Sequence, residues 1–199
     1  MSLILPSNKL SVVQLASGGY IDLLDPQPED IHLSDIAFGL SHICRFTGHT
    51  KHFYSVAQHS VMVSNLVDVA LAKEALLHDA SEAYIGDVST PLKNLLPEYK
   101  KIEGRLEAVI SDKFGLPQKK NPLVKKADLI ALVTEKRDLM TTTPKDRELW
   151  GDLFKIKPCV DKIHPQPSEV ARHSFLLQFK RILADEGRAH ADIQKEVLA

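Results

Sequence analysis

Cysteine is nearly missing from this chain: Cys44 and Cys159 are the only two among 199 residues. Two thiols so far apart make neither a disulfide framework nor a four-cysteine zinc site, and they suit a reduced, cytoplasmic setting. Apolar runs are short. None reaches the roughly 18 residues that a membrane-spanning helix needs, so no membrane contact is expected. The opening MSLILPSNKL has a brief apolar patch, but no leader-type cleavage pattern follows it. No charge of one sign dominates either: 25 Lys and Arg stand against 26 Asp and Glu, for a net charge of -1. That balance argues against a general polyanion binder. The basic stretch KKNPLVKK has no interleaved aromatic residues, so it reads as solvated surface rather than a nucleic-acid patch. Internal repeats and low-complexity segments are also lacking.

What remains is a chain with 44% hydrophobic residues, enough for a real core in a single domain over 1–199. Residues 1–32 read as an N-terminal extension with a β-hairpin. There SVVQLASGGYIDLL has two β-prone runs flanking Gly18-Gly19, which can take the positive φ of a tight turn. Residues 33–141 read as a helical core. LSDIAFGLSHI predicts a helix over 33–43, and Val56, Val63, Leu66 and Val67 recur at helical steps from about Ser55. A second helix of this series is predicted over about Leu71–Tyr84. Pro91 and Pro97 read as interruptions before a long helix over 98–114 that ends at Gly115. Pro122 fits the first turn of a helix over about 123–140. Residues 142–199 form a C-terminal helical part, with Ser168 as the N-cap of the last helix.

Three of these helices carry polar residues where apolar ones are expected. In AKEALLHDASEAYIGDVSTP, His78 and Asp79 follow the apolar run Ala75-Leu76-Leu77. Glu82 shares a helix face with His78, and Asp79 lies about one hundred degrees round from it. His59 sits on the face of Val56 and Val63. Asp128 sits on the face of Val124, Ala131 and Leu132. An unpaired buried carboxylate costs several kcal/mol unless it is paired or binds metal. Two His and two Asp make a mixed nitrogen and oxygen site that suits one divalent transition metal, Zn, Co or Mn, with Mg the poorer fit. Each residue alone has an ordinary structural explanation; their coincidence is what points to chemistry.

The order His59, His78-Asp79, Asp128, with Glu82, Gly86-Asp87, Thr90-Pro91 and Lys93, resembles the HD-domain metal-dependent phosphohydrolases. The likeness is to the branch containing bacterial deoxyribonucleoside 5′-nucleotidases and phage dATP triphosphohydrolases, and it covers about residues 36–139. The resemblance implies an all-α HD-domain helical bundle with a small N-terminal β-hairpin. It implies His59, His78, Asp79 and Asp128 as metal ligands. Glu82 would act on water, and Asp87 would position water or the sugar hydroxyl. Arg45-Phe46 lies fourteen residues before His59, about where relatives carry an Arg for phosphate and an aromatic for base or sugar. Phe46 keeps the stacking but not an indole N–H. His49 and Lys93 add candidate phosphate contacts, and Glu135 with Arg137 is expected as a supporting ion pair. A homo-oligomer is implied as well. One departure is the spacing of 19 residues between His59 and His78, which requires a short turn near Asp68.

The expected activity is hydrolysis of a small-molecule nucleotide at the α-phosphorus, releasing nucleoside and phosphate. An alternative is a dNTP triphosphohydrolase releasing deoxynucleoside and triphosphate. A rival of another class is a metal-dependent nucleotide-sensing module without turnover. Glu82 separates it from the enzymes, since simple binding needs no base beside the water.

Overall fold

Residues 10–197 are described by the structure, a computed structural model, with side chains through residue 187. The apolar start at residues 1–9 and the side chain of His190 lie outside the described residues. The predicted hairpin forms: β1 (Val12–Gln14) pairs antiparallel with β2 (Tyr20–Asp22), Val13 opposite Ile21. Gly18 turns the chain at φ 89°, a conformation that favours glycine. Ile21 points down into the main core and pins the hairpin to the helices.

The rest is helical: α1 (Leu33–His42), α2 (Val56–Ser64), α3 (Ala72–Leu77), α4 (Glu82–Ile85), α5 (Thr90–Lys93), α6 (Pro97–Phe114), α7 (Pro122–Leu139), α8 (Asp146–Trp150) and α9 (Ser168–Val197). The chain is thus mostly α-helical with a small N-terminal β-hairpin, as the periodicities predict. Local signals explain several ends. Ser55 caps α2 by accepting from the Gln58 N–H, and Asn121 caps α7 by accepting from the Leu123 N–H. Gly115 closes α6 in the left-handed conformation. Pro91 and Pro97 do not interrupt a helix; each sits in the first turn of a new one, where proline's missing N–H has no partner to lose.

The main core joins α1, α2, α3, α6 and α9. Ala171, Phe175, Phe179 and Ile182 form one stripe along α9, at the spacing of a buried helix face. Truncating the fully buried Phe175 to Ala would cost about 3–5 kcal/mol. A second, smaller core joins α2, α3 and α7 through Val63, Ala75, Val124, Ala127 and Ala131. This second core seats α7 against α2. Glu74 on α3 accepts from the Asn121 N–H and so fixes where α7 begins.

One predicted helix is different in the structure. The helix expected over 71–84 is broken at 78–81 into α3 and α4. Across the break the backbone bonds run i to i−3: Ala80 to Leu77, Glu82 to Asp79, Ala83 to Ala80 and Tyr84 to Ser81. This tighter winding eclipses positions three apart, so Asp79 and Glu82 line up along one edge. The break falls on the His-Asp pair itself. Gly39 backs it from α1: a Cβ there would lie 2.8 Å from the Ala83 carbonyl oxygen, so only glycine lets α1 approach α4 this closely.

Candidate metal centre

His59, His78 and Asp128 come from α2, from the turn after α3 and from α7, and their ligand atoms lie within 4.8 Å of one another. The chain reverses through 65–71 between α2 and α3, near the expected Asp68, which is how two histidines 19 residues apart can meet. Asp79 borders this group. Its Oδ2 lies 3.5 Å from His59 Nε2 and 3.1 Å from His78 Nε2. Asp128 Oδ1 lies 3.4 Å from His59 Nε2 and 4.0 Å from His78 Nε2. His59, His78 and Asp128 thus form one candidate ligand group, and Asp79, the fourth residue singled out, borders it through both imidazoles.

Both imidazoles are held by their other nitrogen. His59 Nδ1 is 2.6 Å from Glu135 Oε1, and His78 Nδ1 is 2.8 Å from the Ala75 carbonyl. Those acceptors place a proton on each Nδ1 and leave each Nε2 facing the carboxylates. Both Nε2 atoms are buried without a hydrogen-bond partner. Buried polar atoms rarely stay unpaired, and a metal ligand is a chemical reason for it. The donor set fits a divalent transition metal.

The charges are unevenly balanced. Burial works against the charge on Asp79, but His78, His59 and Arg45 together hold it well below the usual carboxylate range. Burial, then Asp79 and Asp87, push Glu82 well above the usual range, against the pull of Lys93 and Arg45. Burial raises Asp87 also. Glu82 Oε1 is 3.4 Å from Lys93 Nζ, while its Oε2 is buried without a partner. Lys93 in turn pairs with Glu103 at 2.6 Å.

Arg45 enters from the loop before α2. That loop is closed at its base, the Arg45 N–H donating to the Tyr54 carbonyl at 2.9 Å. The guanidinium is only 11% exposed. It donates to Glu135 at 3.2 Å and lies 3.8 Å from both Asp79 and Asp87. Its Nε has no partner. Phe46 follows at φ 54° and Thr47 at φ 53°, a turn that swings the Phe46 ring to 5.3 Å from the guanidinium. His49 is exposed at the end of this turn.

Sequence reasoning misplaced Glu135. Its partners are His59 and Arg45, whereas Arg137 pairs with Asp138 at 2.7 Å and donates to the carbonyls of Cys159 and Asp161. Residues 135 and 137 face different sides of α7, as two positions apart on a helix must. Lys120 and Lys125 are exposed, as the reading of a solvated surface expects, and they border the site, Lys120 pairing with Glu107 at 2.7 Å. Lys125 Nζ is 2.7 Å from Asp128 Oδ2, and Lys120 Nζ is 3.2 Å from the His78 carbonyl oxygen. Position 125 being three before Asp128 was the one signal available for that contact.

No family model matches the chain. It is 52% identical over 130 residues to the Escherichia coli (strain K12) protein YfdR, described as an uncharacterized protein; the match covers 65% of this chain and 73% of that protein. It is 39% identical over 186 residues to the Rhodobacter capsulatus protein RCAP_rcc00048, also described as uncharacterized, with 83% of this chain and 95% of that protein covered. At these identities and coverages the chain belongs to the family of YfdR and RCAP_rcc00048.

Proposed function

We propose that the protein is an HD-domain, metal-dependent phosphohydrolase that cleaves nucleotide phosphate esters to nucleoside and phosphate. The observation that carries this reading is the pair of unpartnered Nε2 atoms, His59 and His78, aimed at the carboxylates of Asp79 and Asp128. Those four residues would hold one divalent ion, Zn2+, Co2+ or Mn2+. Such an ion polarises a phosphoryl oxygen and makes water acidic enough to attack near neutral pH. Glu82, eclipsed with Asp79 and holding its proton tightly, suits general acid–base work on that water. Asp87, in the loop after α4, would orient water or a sugar hydroxyl. Arg45, 3.8 Å from Asp79 and Asp87, would meet the phosphate, with Phe46 beside it for the base or sugar. His49 and Lys93 are secondary contacts. A homo-oligomer in the cytoplasm is part of the same proposal.

A dNTP triphosphohydrolase is the second reading. Its support is Lys125, beside Asp128, a cation beyond Arg45 and Lys93 of the kind a triphosphate would require. One experiment decides. The protein is incubated with Co2+ or Mn2+ and each dNMP or dNTP, and the products are separated. Nucleoside with phosphate from monophosphates supports the first reading; nucleoside with intact triphosphate supports the second. Binding without turnover under every metal sinks both in favour of a sensor.

A further inference from the structure

Glu135 is fully buried, and so is the imidazole it faces. One carboxylate oxygen takes His59 Nδ1 at 2.6 Å, and the other takes Arg45 at 3.2 Å. Tyr54, also fully buried, brings its hydroxyl close to the same carboxylate, short of hydrogen-bond geometry. Among the described residues Glu135 is the only acid whose two oxygens touch both a candidate ligand and the candidate phosphate-binding arginine. A buried charge removed from water needs such a partner, so Arg45 and Glu135 hold each other in place.

We propose that Glu135 is a positioning residue that sets the tautomer and aim of His59, with Arg45 as its counter-charge. The inference rests on the metal reading above. Accepting a hydrogen bond from Nδ1–H leaves Nε2 as the nitrogen that faces Asp79 and Asp128. The negative charge behind the ring also makes that nitrogen a stronger donor. Arg45 then has two tasks. Its Nη2 neutralises Glu135, and its Nη1, 3.8 Å from Asp79 and Asp87, is the group left to meet a phosphate. Substrate charge and metal ligand are thereby one connected unit, spanning 90 residues of sequence.

The test uses the full chain and Co2+ alone, with affinity read by chelator competition and coordination by visible absorption. Glu135→Gln keeps the shape, loses the charge, and turns an amide N–H toward either His59 or Arg45. Its Co2+ affinity is expected to fall about 10–100-fold, with an altered absorption band and an unchanged far-ultraviolet circular dichroism spectrum. Arg137→Gln, two positions away on the other side of α7, is expected to bind Co2+ as the parent does. A purely structural Glu135 would lower Tm and leave Co2+ affinity within about twofold, which overturns the proposal. Should Glu135→Gln fail to fold, nitrogen-15 spectra of histidines in the Zn2+-loaded parent decide: a proton on His59 Nδ1 supports the proposal, and one on Nε2 refutes it. A parent that takes up no Co2+ sinks the metal reading itself, a result distinct from equal uptake by parent and variant.

Discussion

Two charged clusters share α7, and they differ in how completely they are satisfied. On one face Lys136 and Asp146 pair at 2.8 Å, with side chains 11% and 10% exposed. Asp146 also accepts from the Thr143 N–H and hydroxyl, Lys136 donates to the Thr141 carbonyl, and the ammonium lies 5.4 Å from the Trp150 ring centroid. Every strong group there has a partner. On the other face His59 Nε2, His78 Nε2, Glu82 Oε2 and Arg45 Nε are buried with none. Burial of charge is common to both. What separates these two clusters is unfinished bonding, concentrated on the face that carries the candidate ligands.

The comparison breaks most sharply at the ligands. His78→Ala or Asp79→Asn should weaken Co2+ binding more than about 100-fold, since each removes one donor of four, while Asp146→Asn should leave it unchanged in the same titration. Glu82→Ala comes next. Turnover should fall about 10²–10⁴-fold, the range for a lost general acid–base group, with Co2+ affinity retained. Equal turnover would remove Glu82 from the chemistry.

Acidity sharpens the contrast. Burial and Arg45 oppose a charge on His59, but Glu135 and Asp128 outweigh them and raise it to about 9. A proton on Nε2 blocks metal, so Co2+ affinity should climb by about tenfold per pH unit up to about pH 9. The sign for stability is opposite. A raised histidine pKa contributes stability that is full below about 6.5 and lost as pH rises through about 9. Tm measured without added metal should therefore decline across that window.

Smaller effects follow. Gly39→Ala must displace the Ala83 backbone, and overpacking of this kind costs about 1–3 kcal/mol. Denaturant unfolding would measure it, with lowered turnover because Glu82 begins the helix that is pushed. Smallest is Asp146→Asn. Hydrogen bonds from Lys136 and Thr143 hold Asp146 at about 2, with burial contributing little. That stability is present above about pH 4 and lost as pH falls through about 2, so the variant should flatten the acid limb of a Tm profile.

How much of this was legible in the sequence follows from what each signal can see. Helical period placed His59 and Asp128 inward, because Val56, Val63, Val124 and Ala131 mark the buried faces. Gly18 marked a turn, and the helical pattern starting at about Ser55 marked where α2 begins. Period could not reveal the break at 78–81, because polar His-Asp after Leu77 suits an α-helix and a tighter turn alike. The choice is tertiary: α1 packs close against Ala83 through Gly39. Nor could local spacing find Glu135 opposite Arg45, since no periodicity links residues so distant.

That distance has a consequence for how the protein comes to fold. His78 and Asp79 are neighbours, but His59 meets Glu135 across 76 residues and Arg45 meets it across 90. Closing such long loops carries an entropic penalty that only the docked α7 can offset. An ion present at the start of refolding would find a two-residue ligand, too weak to hold it. The full set of donors appears once α7 seats against α2, so uptake of a metal would mark the finished fold rather than seed it.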